Sequence, residues 1–369
     1  MLDRIEEKVY EGERLAPEEG LQLLKSEDLL RVGKLANMVR ERLWGNRCTY
    51  NINRHIHPTN VCVFRCTFCS FYRKPGQEGG YLITPQEAVE RAKALGGMGI
   101  TELHMVGGCH PTAKVDYYAS LFRAIKAELP EIHIKSLTAV EIAWLARVSK
   151  KSFREALIEL KEAGLDSLPG GGAEIFAPRV RDLTCGGKCT AEEWLEVHRV
   201  AHGLSIPSNA TMLYGHIETD EEIIDHLTRL RDLQDETGGF LTFIPLAYHP
   251  ENNAMEITEG PSAPRSLKVL AASRLYLDNF PHVKAYWVML GIETAQMALW
   301  FGADDLDGTV IDEHIYHEAG AKTPEALTVG ELRKLIAEAG REPRERDTLY
   351  RPIERSGPTE RLFEAAGAR

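Results

Sequence analysis

The spacing of apolar residues changes once along the chain. In the stretches PEEGLQLLKSED and LLRVGKLANMVRERLWG, both within residues 1–48, apolar residues recur every three or four positions. This spacing places them on one face of a helix. Residues 1–48 are therefore predicted to form an N-terminal helical extension.

From Thr49 onward, short apolar runs of strand length alternate with amphipathic stretches of helix length. The first of these helices has a clear start signal, because Thr84 is a good N-cap and Pro85 suits the first helical position. The predicted strands are TYNINRHI, TELHMVGG, EIHIKSL, DSLPGGGAEI, PSNATML, FLTFIPL, VKAYWVM and ADDLDGTVI. About eight βα units over some 250 residues indicate an α/β fold, a (β/α)8 barrel of the TIM type over residues 49–310. A doubly wound open sheet is the alternative.

The last part of the chain, residues 311–369, is charged and rich in Arg and Glu. A helix is expected around Thr328 to Ala339, followed by a loosely ordered extension. We therefore predict a C-terminal helical segment and tail after the barrel.

Composition limits the function classes. The 369 residues are 43% hydrophobic and 27% charged, which is ordinary for a globular protein. The net charge of −11 argues against nucleic acid as a partner, because phosphate binding needs clustered Lys and Arg. The N-terminal MLDRIEEKVYEGERL lacks the apolar core of a signal peptide, and no stretch approaches the roughly 18 apolar residues of a membrane span. We expect a cytoplasmic protein that acts on small molecules and keeps its cysteines as thiols.

Three cysteines lie close together in the stretch NVCVFRCTFCSF: Cys62, Cys66 and Cys69. A structural zinc ion prefers four ligands, and His55 and His57 on the preceding strand are near enough to complete such a site. A [4Fe-4S] cluster takes one cysteine per iron, so three cysteines leave one iron open to a substrate. A non-catalytic zinc protein is thus the alternative to a cluster enzyme.

Further candidate residues follow other predicted strands. Gly107 and Gly108 come after the second strand, the loop 170–174 after the fourth, the stretch 212–215 at the fifth and His249 after the sixth. Active sites of βα barrels lie at the carboxyl ends of the strands. We therefore expect these residues to share one site with the cysteines.

The spacing C-x3-C-x2-C, with the aromatic Phe68 just before the last cysteine, resembles the radical S-adenosylmethionine (SAM) superfamily. The resemblance implies a [4Fe-4S] cluster on the three cysteines, with the methionine part of SAM on the open iron. In that superfamily an electron from the cluster splits the sulfonium into methionine and a 5′-deoxyadenosyl radical. An electron donor such as flavodoxin or ferredoxin is implied as a partner.

The same resemblance suggests cofactor-binding residues. VGG, which ends at Gly108, is similar to the methionine-binding GGE motif, although Cys109 stands where the acid usually is. Glu174 is expected to hydrogen-bond the SAM ribose, and Ser136 and Met212 to line the nucleoside. The expected cofactor-binding residues are Phe68, Gly107, Gly108, Ser136, Glu174 and Met212. Ordinary turn glycines and a solvated loop acid are the alternatives.

A narrower resemblance covers the chain from about residue 15 to 350. NRHIHPTNVC, HIKSLTAVEI, GGGAEIFAPRVR, NATMLYGHIET, FIPLAYHPEN and KAYWVMLGIETAQMALWFGADDLDGT resemble the aminofutalosine synthase family of menaquinone biosynthesis. The family's reaction adds the 5′-deoxyadenosyl group of SAM to 3-[(1-carboxyvinyl)oxy]benzoate. Aryl migration and loss of bicarbonate then give 6-amino-6-deoxyfutalosine. The alternative is a dehypoxanthine futalosine cyclase, which would release free 5′-deoxyadenosine; MLYGHIET and ADDLDGT favour the synthase.

The two carboxylates of that substrate call for cationic or hydrogen-bonding partners, preferably Arg. The candidates at strand ends are Arg54, His57, Lys135, Arg179 and His249, and we select Arg179 and His249 as catalytic residues.

The remaining thiols and one histidine pair are expected to be structural. Cys185 and Cys189 are too few for a second cluster and are expected to be loop thiols. His198 and His202, four residues apart on a helix, lack a matching acid and are assigned to an outer helix. Cys109 is the one further thiol expected to approach the site.

Overall fold

The N-terminal extension is helical, as predicted. The computed structural model describes residues 2–94 and 98–355 of the chain. The extension contains α1 (Leu2–Glu11), α2 (Pro17–Lys25) and α3 (Leu29–Trp44). The indole N–H of Trp44, at the end of α3, donates to the carbonyl oxygen of Pro281 at 2.8 Å. The extension is therefore anchored to the second half of the chain.

The strands form three parallel sheets. They are β1 (Arg47–Asn51), β2 (Asn53–Ile56), β3 (Glu102–Met105), β4 (His133–Ser136), β5 (Ser208–Tyr214), β6 (Phe240–Ala247), β7 (His282–Val283), β8 (Asp305–Gly308) and β9 (Glu342–Glu345). The sheets have the orders β8-β1-β9, β2-β3-β4 and β5-β6-β7. Every strand pair within them is parallel, which confirms the α/β class.

Helices lie between the strands, and several of them begin with a capping box. They are α4 (Pro85–Lys93), α5 (Val115–Glu128), α6 (Ala139–Ser149), α7 (Phe153–Glu162), α8 (Pro178–Cys185), α9 (Ala191–Gly203), α10 (Asp220–Thr237), α11 (Ala263–Tyr276), α12 (Trp287–Leu290), α13 (Ile292–Ala298), α14 (Ile315–Glu318) and α15 (Val329–Glu338). Thr84 caps α4 as predicted, and Glu87 completes a capping box. Within residues 2–94 and 98–355, none of the helices combines the length and apolar character that crossing a membrane requires.

Isolated residue pairs lie between the three sheets. The parallel pairs are Arg54 with Ile311, Lys135 with Ser167, Leu168 with Ser208, and Lys284 with Asp305. The predicted strand DSLPGGGAEI is thus reduced to the bridging residues Ser167 and Leu168. Pro169 and the glycines after it explain this, because proline cannot donate to a ladder and glycine weakens a strand.

Two predicted strands differ from the observed elements. TYNINRHI divides into β1 and β2, and the register of β1 with β8 shifts between Thr49 and Asn51. VKAYWVM ends as a strand at Val283, and Trp287 begins the short helix α12. Trp287 is buried, and its indole N–H donates to the carbonyl oxygen of Gly308 at 2.9 Å. A short apolar run does not by itself distinguish a strand from a buried helical turn.

The C-terminal segment contributes a strand that the sequence pattern did not predict. β9 pairs with β1, with Arg47 opposite Glu342. Just after β9, the buried guanidinium of Arg346 binds both carboxylate oxygens of the buried Asp305. The helix expected around Thr328 to Ala339 is present as α15. The predicted extension after residue 355 lies outside the described residues.

Candidate active site

A cavity of about 260 Å³ lies at the carboxyl ends of the strands. Its wall is built from the cysteine stretch, the turn after β3, the start of α6, the glycine loop after Leu168 and the segments after β6 and β8. All three cysteines of the C-x3-C-x2-C stretch lie on this wall. The expectation that strand-end residues share one site is met for most, but not all, of the candidates.

The cysteine stretch is held by loops from other βα units. The backbone N–H of Thr67 donates to Thr184 at the end of α8 at 2.8 Å, and its carbonyl accepts from Ala254 at 2.7 Å. The N–H of Cys62 donates to the carbonyl of Arg73 at 2.9 Å. The positions of the thiols therefore depend on at least two distant loops.

The thiol arrangement fits a [4Fe-4S] cluster better than a single zinc ion. Four-coordinate zinc holds sulfur at about 2.3 Å, which places thiolates within about 4 Å of one another. Among the residues that the structure describes, the one group of three metal-binding side chains whose ligand atoms lie within 4.8 Å of each other is His55, His57 and Glu313, not the cysteines. More widely spaced thiolates without a fourth ligand suit a cubane with one open iron.

The nearby histidine does not complete a zinc site with the cysteines. Nδ1 of His57 lies 2.9 Å from the carbonyl oxygen of Val106, and Nε2 accepts from the N–H of His314 at 3.3 Å. The Glu313 carboxylate accepts the N–H groups of Ile315 at 2.7 Å and Tyr316 at 3.1 Å. These ligand atoms are already engaged within the protein.

The three thiols differ in acidity. Hydrogen bonding from Cys109 lowers the pKa of Cys62 to about 6. Burial raises the pKa of Cys66 to about 12 and also raises that of Cys69. Since thiolates are the iron ligands, binding of the cluster must remove protons from the last two thiols.

Gly107 and Gly108 are needed for close backbone packing. A Cβ on Gly107 would lie 2.5 Å from the carbonyl oxygen of Thr59, and one on Gly108 would collide with the carbonyl oxygen of Val61. Both glycines line the cavity. They bring the turn after β3 against the stretch that leads into the cysteines.

Glu141 is a site residue that the sequence reasoning missed. Its Oε1 accepts from the N–H of Gly107 at 3.1 Å, and its Oε2 accepts from the N–H and the hydroxyl of Thr138, both at 2.8 Å. Burial raises the pKa of Glu141 to about 7. The available signal was the capping box T-x-x-E from Thr138 to Glu141 in HIKSLTAVEI.

Cys109, which replaces the expected acid, contacts the cysteine stretch. Its backbone N–H donates to Sγ of Cys62 at 3.4 Å, and its carbonyl accepts from Val63 at 3.0 Å. A carboxylate still reaches the glycine turn, but it comes from Glu141 on the next βα unit.

Glu174 and Phe68 meet at a buried lysine. Glu174 lies on the cavity wall with a positive φ of 51°, and its Oε1 binds Nζ of Lys188 at 2.6 Å. That ammonium also lies 5.2 Å from the centroid of the Phe68 ring. Glu174 is thus a buried, paired acid and not a solvated loop residue. Cys185 and Cys189, on either side of Lys188, are buried free thiols.

Ser136 and Met212 do not line the cavity, which corrects that expectation. The hydroxyl of Ser136 donates to the carbonyl of Met105 at 2.8 Å behind the wall. On β5, Thr211 and Leu213 line the cavity, whereas Met212 between them does not. Side chains alternate along a strand, so Met212 faces the other side of the sheet.

Of the two residues selected as catalytic, one is at the site and one is not. His249 lines the cavity, and its Nε2 lies 3.0 Å from the carbonyl oxygen of Met289. Arg179 lies outside the cavity with a side chain 49% exposed, and it binds Glu222 at 2.7 Å. The sequence could not show that α8, a helix missing from its predicted elements, turns Arg179 toward α10.

The expected arginine partner for a carboxylate is also missing from the cavity wall. Arg54 is paired with Asp312, and Lys135 with Glu102 at 2.6 Å, and neither lines the cavity. Within the described residues, Lys188 is the one Lys or Arg on the wall. His55, His104, Asn209, Tyr286 and Tyr316 line it instead, and none was predicted as a substrate-binding residue.

A parallel α/β fold that brings a C-x3-C-x2-C stretch to the carboxyl ends of its strands, beside a cavity, defines the radical SAM class. The profile of the radical SAM superfamily matches residues 56–230, and the chain belongs to that superfamily. Its cofactors are a [4Fe-4S] cluster and SAM. The solved structure of methylornithine synthase (PylB) has the same fold, with a TM-score of 0.73, 19% identity and coverage of 92% of this chain and 97% of that one.

The second profile is more specific. The CofH/MqnC C-terminal region matches residues 237–358. Aminodeoxyfutalosine synthase of Thermus thermophilus is 49% identical over 356 residues, 95% of each chain. The synthase of Streptomyces coelicolor is 45% identical over 366 residues, 96% of this chain and 95% of its own. Within the superfamily, the chain therefore belongs to the aminodeoxyfutalosine synthase family, as its sequence motifs indicated.

The alternative relative is more distant. The cyclic dehypoxanthine futalosine synthase of Streptomyces coelicolor is 39% identical over 353 residues, 95% of this chain and 88% of its own.

Proposed function

We propose that this protein transfers the 5′-deoxyadenosyl group of SAM to 3-[(1-carboxyvinyl)oxy]benzoate and forms 6-amino-6-deoxyfutalosine for menaquinone biosynthesis. Methionine and bicarbonate leave, and one water supplies the oxygen of the bicarbonate. The observation that carries this proposal is the 49% identity to an aminodeoxyfutalosine synthase over 95% of both chains.

The proposed fold is one closed barrel. Counting β2, β3, β4, the bridging residues 167–168, β5, β6, β7 and β8 gives eight positions in the order that the sheets and isolated pairs connect them. The pairing of Arg54 with Ile311 then joins the end of the last position to the first. This supports a barrel over residues 49–310 between the helical extension and the C-terminal segment.

The residues around the cavity have different roles in the proposed reaction. When bound, the cluster and SAM supply one-electron cleavage of the sulfonium and the 5′-deoxyadenosyl group. Cys62, Cys66 and Cys69 would hold the cluster. Gly107 and Gly108 let the turn after β3 pack against the segment that leads into the cysteines, where the methionine part of SAM would bind. Glu174, also on the wall, would accept a hydrogen bond from a ribose hydroxyl.

The residues that line the cavity must also exclude water, because a carbon radical would react with other hydrogen donors. Leu213, Ile244, Leu246 and Met289 line the cavity, and all are buried. These side chains provide an apolar surface for an aromatic substrate.

An electron donor such as flavodoxin or ferredoxin and a cytoplasmic location remain part of the proposal.

The deciding assay uses the anaerobically reconstituted protein with reductant, SAM and 3-[(1-carboxyvinyl)oxy]benzoate. We expect an adenosyl adduct that has lost one carboxylate, detected by mass, with one methionine released per adduct. The variant Cys66→Ser should form no adduct, whereas Cys185→Ser is the matched control. Release of 5′-deoxyadenosine with the benzoate unconsumed would reject the transferase and favour the cyclase reaction.

A further inference from the structure

We propose that His55 and His104 bind the carboxylate on the benzoate ring of the substrate, at the strand end of the cavity, since both lie within β2 and β3 whereas the cysteines follow β2. This inference rests on the proposed function for the identity of the substrate. We call these two histidines the binding pair.

The pairing of β2 with β3 places the two rings side by side. His55 and His104 are register partners, and their rings stack with centroids 4.4 Å apart and planes 8° from parallel. Both line the cavity. In the part of the chain that the structure describes, neither imidazole has a protein hydrogen-bond partner, whereas His133 and Ser136 on the neighbouring strand β4 are hydrogen-bonded. Such partners must come from a ligand or from water.

Two lysines near the pair are already bound to carboxylates within the protein. Lys135, the register partner of His104 on β4, binds Glu102 at 2.6 Å. Lys284 binds Asp307 at 3.0 Å. Both ammonium groups are thus paired. The Glu313 carboxylate, which lies within 4.8 Å of a ring nitrogen of His55, is paired in turn with His317 at 3.1 Å. Recognition of an anion by the pair therefore falls to neutral N–H and O–H groups.

Both imidazoles are suited to that role. Burial lowers the pKa of His55 and of His104 well below the usual value of histidine. A neutral imidazole keeps one N–H donor, so two stacked rings can present one N–H to each oxygen of a carboxylate.

A second, independent observation points to a ligand in the same cavity. Tyr286 lines the cavity, and its buried hydroxyl has no hydrogen-bond partner among the described residues. A buried hydroxyl without a partner is costly, and a bound oxygen acceptor would satisfy it. Asn209 adds a further amide to this wall.

The ring carboxylate, not the vinyl carboxylate, suits this end of the cavity. The vinyl carbon must reach the adenosyl group near the cysteine stretch, and the vinyl carboxylate next to it leaves during the reaction. The ring carboxylate lies at the other end of the molecule and remains in the product. A group that is retained can be bound equally throughout, which positions the substrate without opposing the reaction.

The test compares two substrates on two proteins. The second substrate, 2-phenoxyprop-2-enoate, lacks only the ring carboxylate. The variant His104→Phe keeps a flat stacked ring without N–H groups, and His104→Gln restores a donor. For the wild type we expect kcat/KM to fall about 10- to 100-fold when the ring carboxylate is removed, as for hydrogen bonds to a charged group.

In His104→Phe the full substrate should lose a similar factor, and removal of the ring carboxylate should then cost less than about threefold. His104→Gln should recover part of the loss. Iron content after reconstitution and the melting temperature should stay close to the wild-type values, which a general structural defect would not allow. An undiminished penalty for the missing ring carboxylate in His104→Phe would overturn the proposal.

Binding of 3-methoxybenzoate, measured by calorimetry on the iron-loaded protein, needs no turnover. It should be weakened in both His55→Phe and His104→Phe, and equal affinity in the wild type and both variants would overturn the pair as a carboxylate site. If the wild type binds this probe but forms no adduct from the full substrate, the proposed function fails while the binding pair stands. If one variant does not retain iron, the other is used for both measurements.

Discussion

The amide N–H of Gly107 donates to Oε1 of Glu141 at 3.1 Å, which links the turn after β3 to the first turn of α6. The other oxygen of the same carboxylate caps α6 through Thr138. One side chain thus sets the position of the glycine turn against a neighbouring βα unit. Because this turn borders the cysteine stretch, its geometry bears directly on SAM binding.

Replacement Glu141→Gln should weaken SAM cleavage without removing the cluster. The amide can still cap α6, but it cannot keep both acceptor oxygens, so the turn at Gly107 loosens. We expect methionine release to slow by about tenfold, as for one hydrogen bond to a charged group, with iron content unchanged. The matched control is Glu155→Gln in the exposed capping box of α7. Equal effects of the two variants would contradict this role.

Replacement Gly108→Ala should displace the cysteine stretch. The added Cβ would meet the carbonyl oxygen of Val61, next to Cys62. We expect a free energy of unfolding lower by about 1–3 kcal/mol and less iron per chain after reconstitution. Gly203→Ala, whose Cβ would meet nothing within 4 Å, is the control; it should leave the iron content unchanged and should not lower the free energy of unfolding. Full iron loading of Gly108→Ala would count against the packing argument.

Replacement Lys188→Met should leave the Glu174 carboxylate buried without its partner. The two side chains are 12% and 9% exposed. Removing one partner of a buried pair costs about 3–5 kcal/mol in the free energy of unfolding, measured by anaerobic urea denaturation. The double variant with Glu174→Gln should recover part of the loss. Lys151→Met, in a pair that is 36% and 30% exposed, should cost less than about 1 kcal/mol.

Replacement Arg179→Ala should leave the KM for the benzoate substrate within about twofold of the wild type. The sequence placed Arg179 at the substrate, but its side chain lies outside the cavity and binds Glu222. Loss of an exposed ion pair has little effect on stability or on a distant site. A large rise in KM would show that Arg179 reaches the substrate after all.

The pair of His317 and Glu313 should make stability depend on alkaline pH. Its hydrogen bond to the Glu313 carboxylate raises the pKa of His317 to about 9 from the usual 6.5. A raised pKa in the folded state means that the stabilisation is fully present below about pH 6.5 and is lost as the pH rises through 9. Thermal melts of wild type and His317→Gln should therefore converge between pH 7 and 10. A constant difference across that range would contradict the assignment.

Much of the fold could be predicted from local signals. Capping boxes such as the one at Thr84 mark helix starts within four residues, and short continuous apolar runs mark buried strands such as β6. The prediction of a single strand was wrong at Trp287, because one apolar run contains both the end of a strand and the start of a short helix. The strand β9 was missed because its partner, β1, lies far away along the chain. Local sequence patterns do not specify which distant strand will pair with a given segment.

The site residues that could be predicted are those whose role depends only on their neighbours in the sequence. The three cysteines, Gly107 and Gly108 reached the cavity because their spacing and their turns are properties of short segments. Glu141 was missed because its carboxylate serves a turn 34 residues earlier in the chain. Met212 was placed on the wrong face because the side of a strand that faces the cavity depends on its register.

By itself the sequence determined the alternation of strands and helices and the set of thiols that can hold a cluster, since both depend on neighbours a few residues apart. Only the tertiary structure decided which polar side chains share the cavity. The stacking of His55 on His104 follows from the register of β2 with β3, and the exclusion of Arg179 follows from the direction of α8. Register and helix direction are set by packing across the whole core, which no short stretch of sequence specifies.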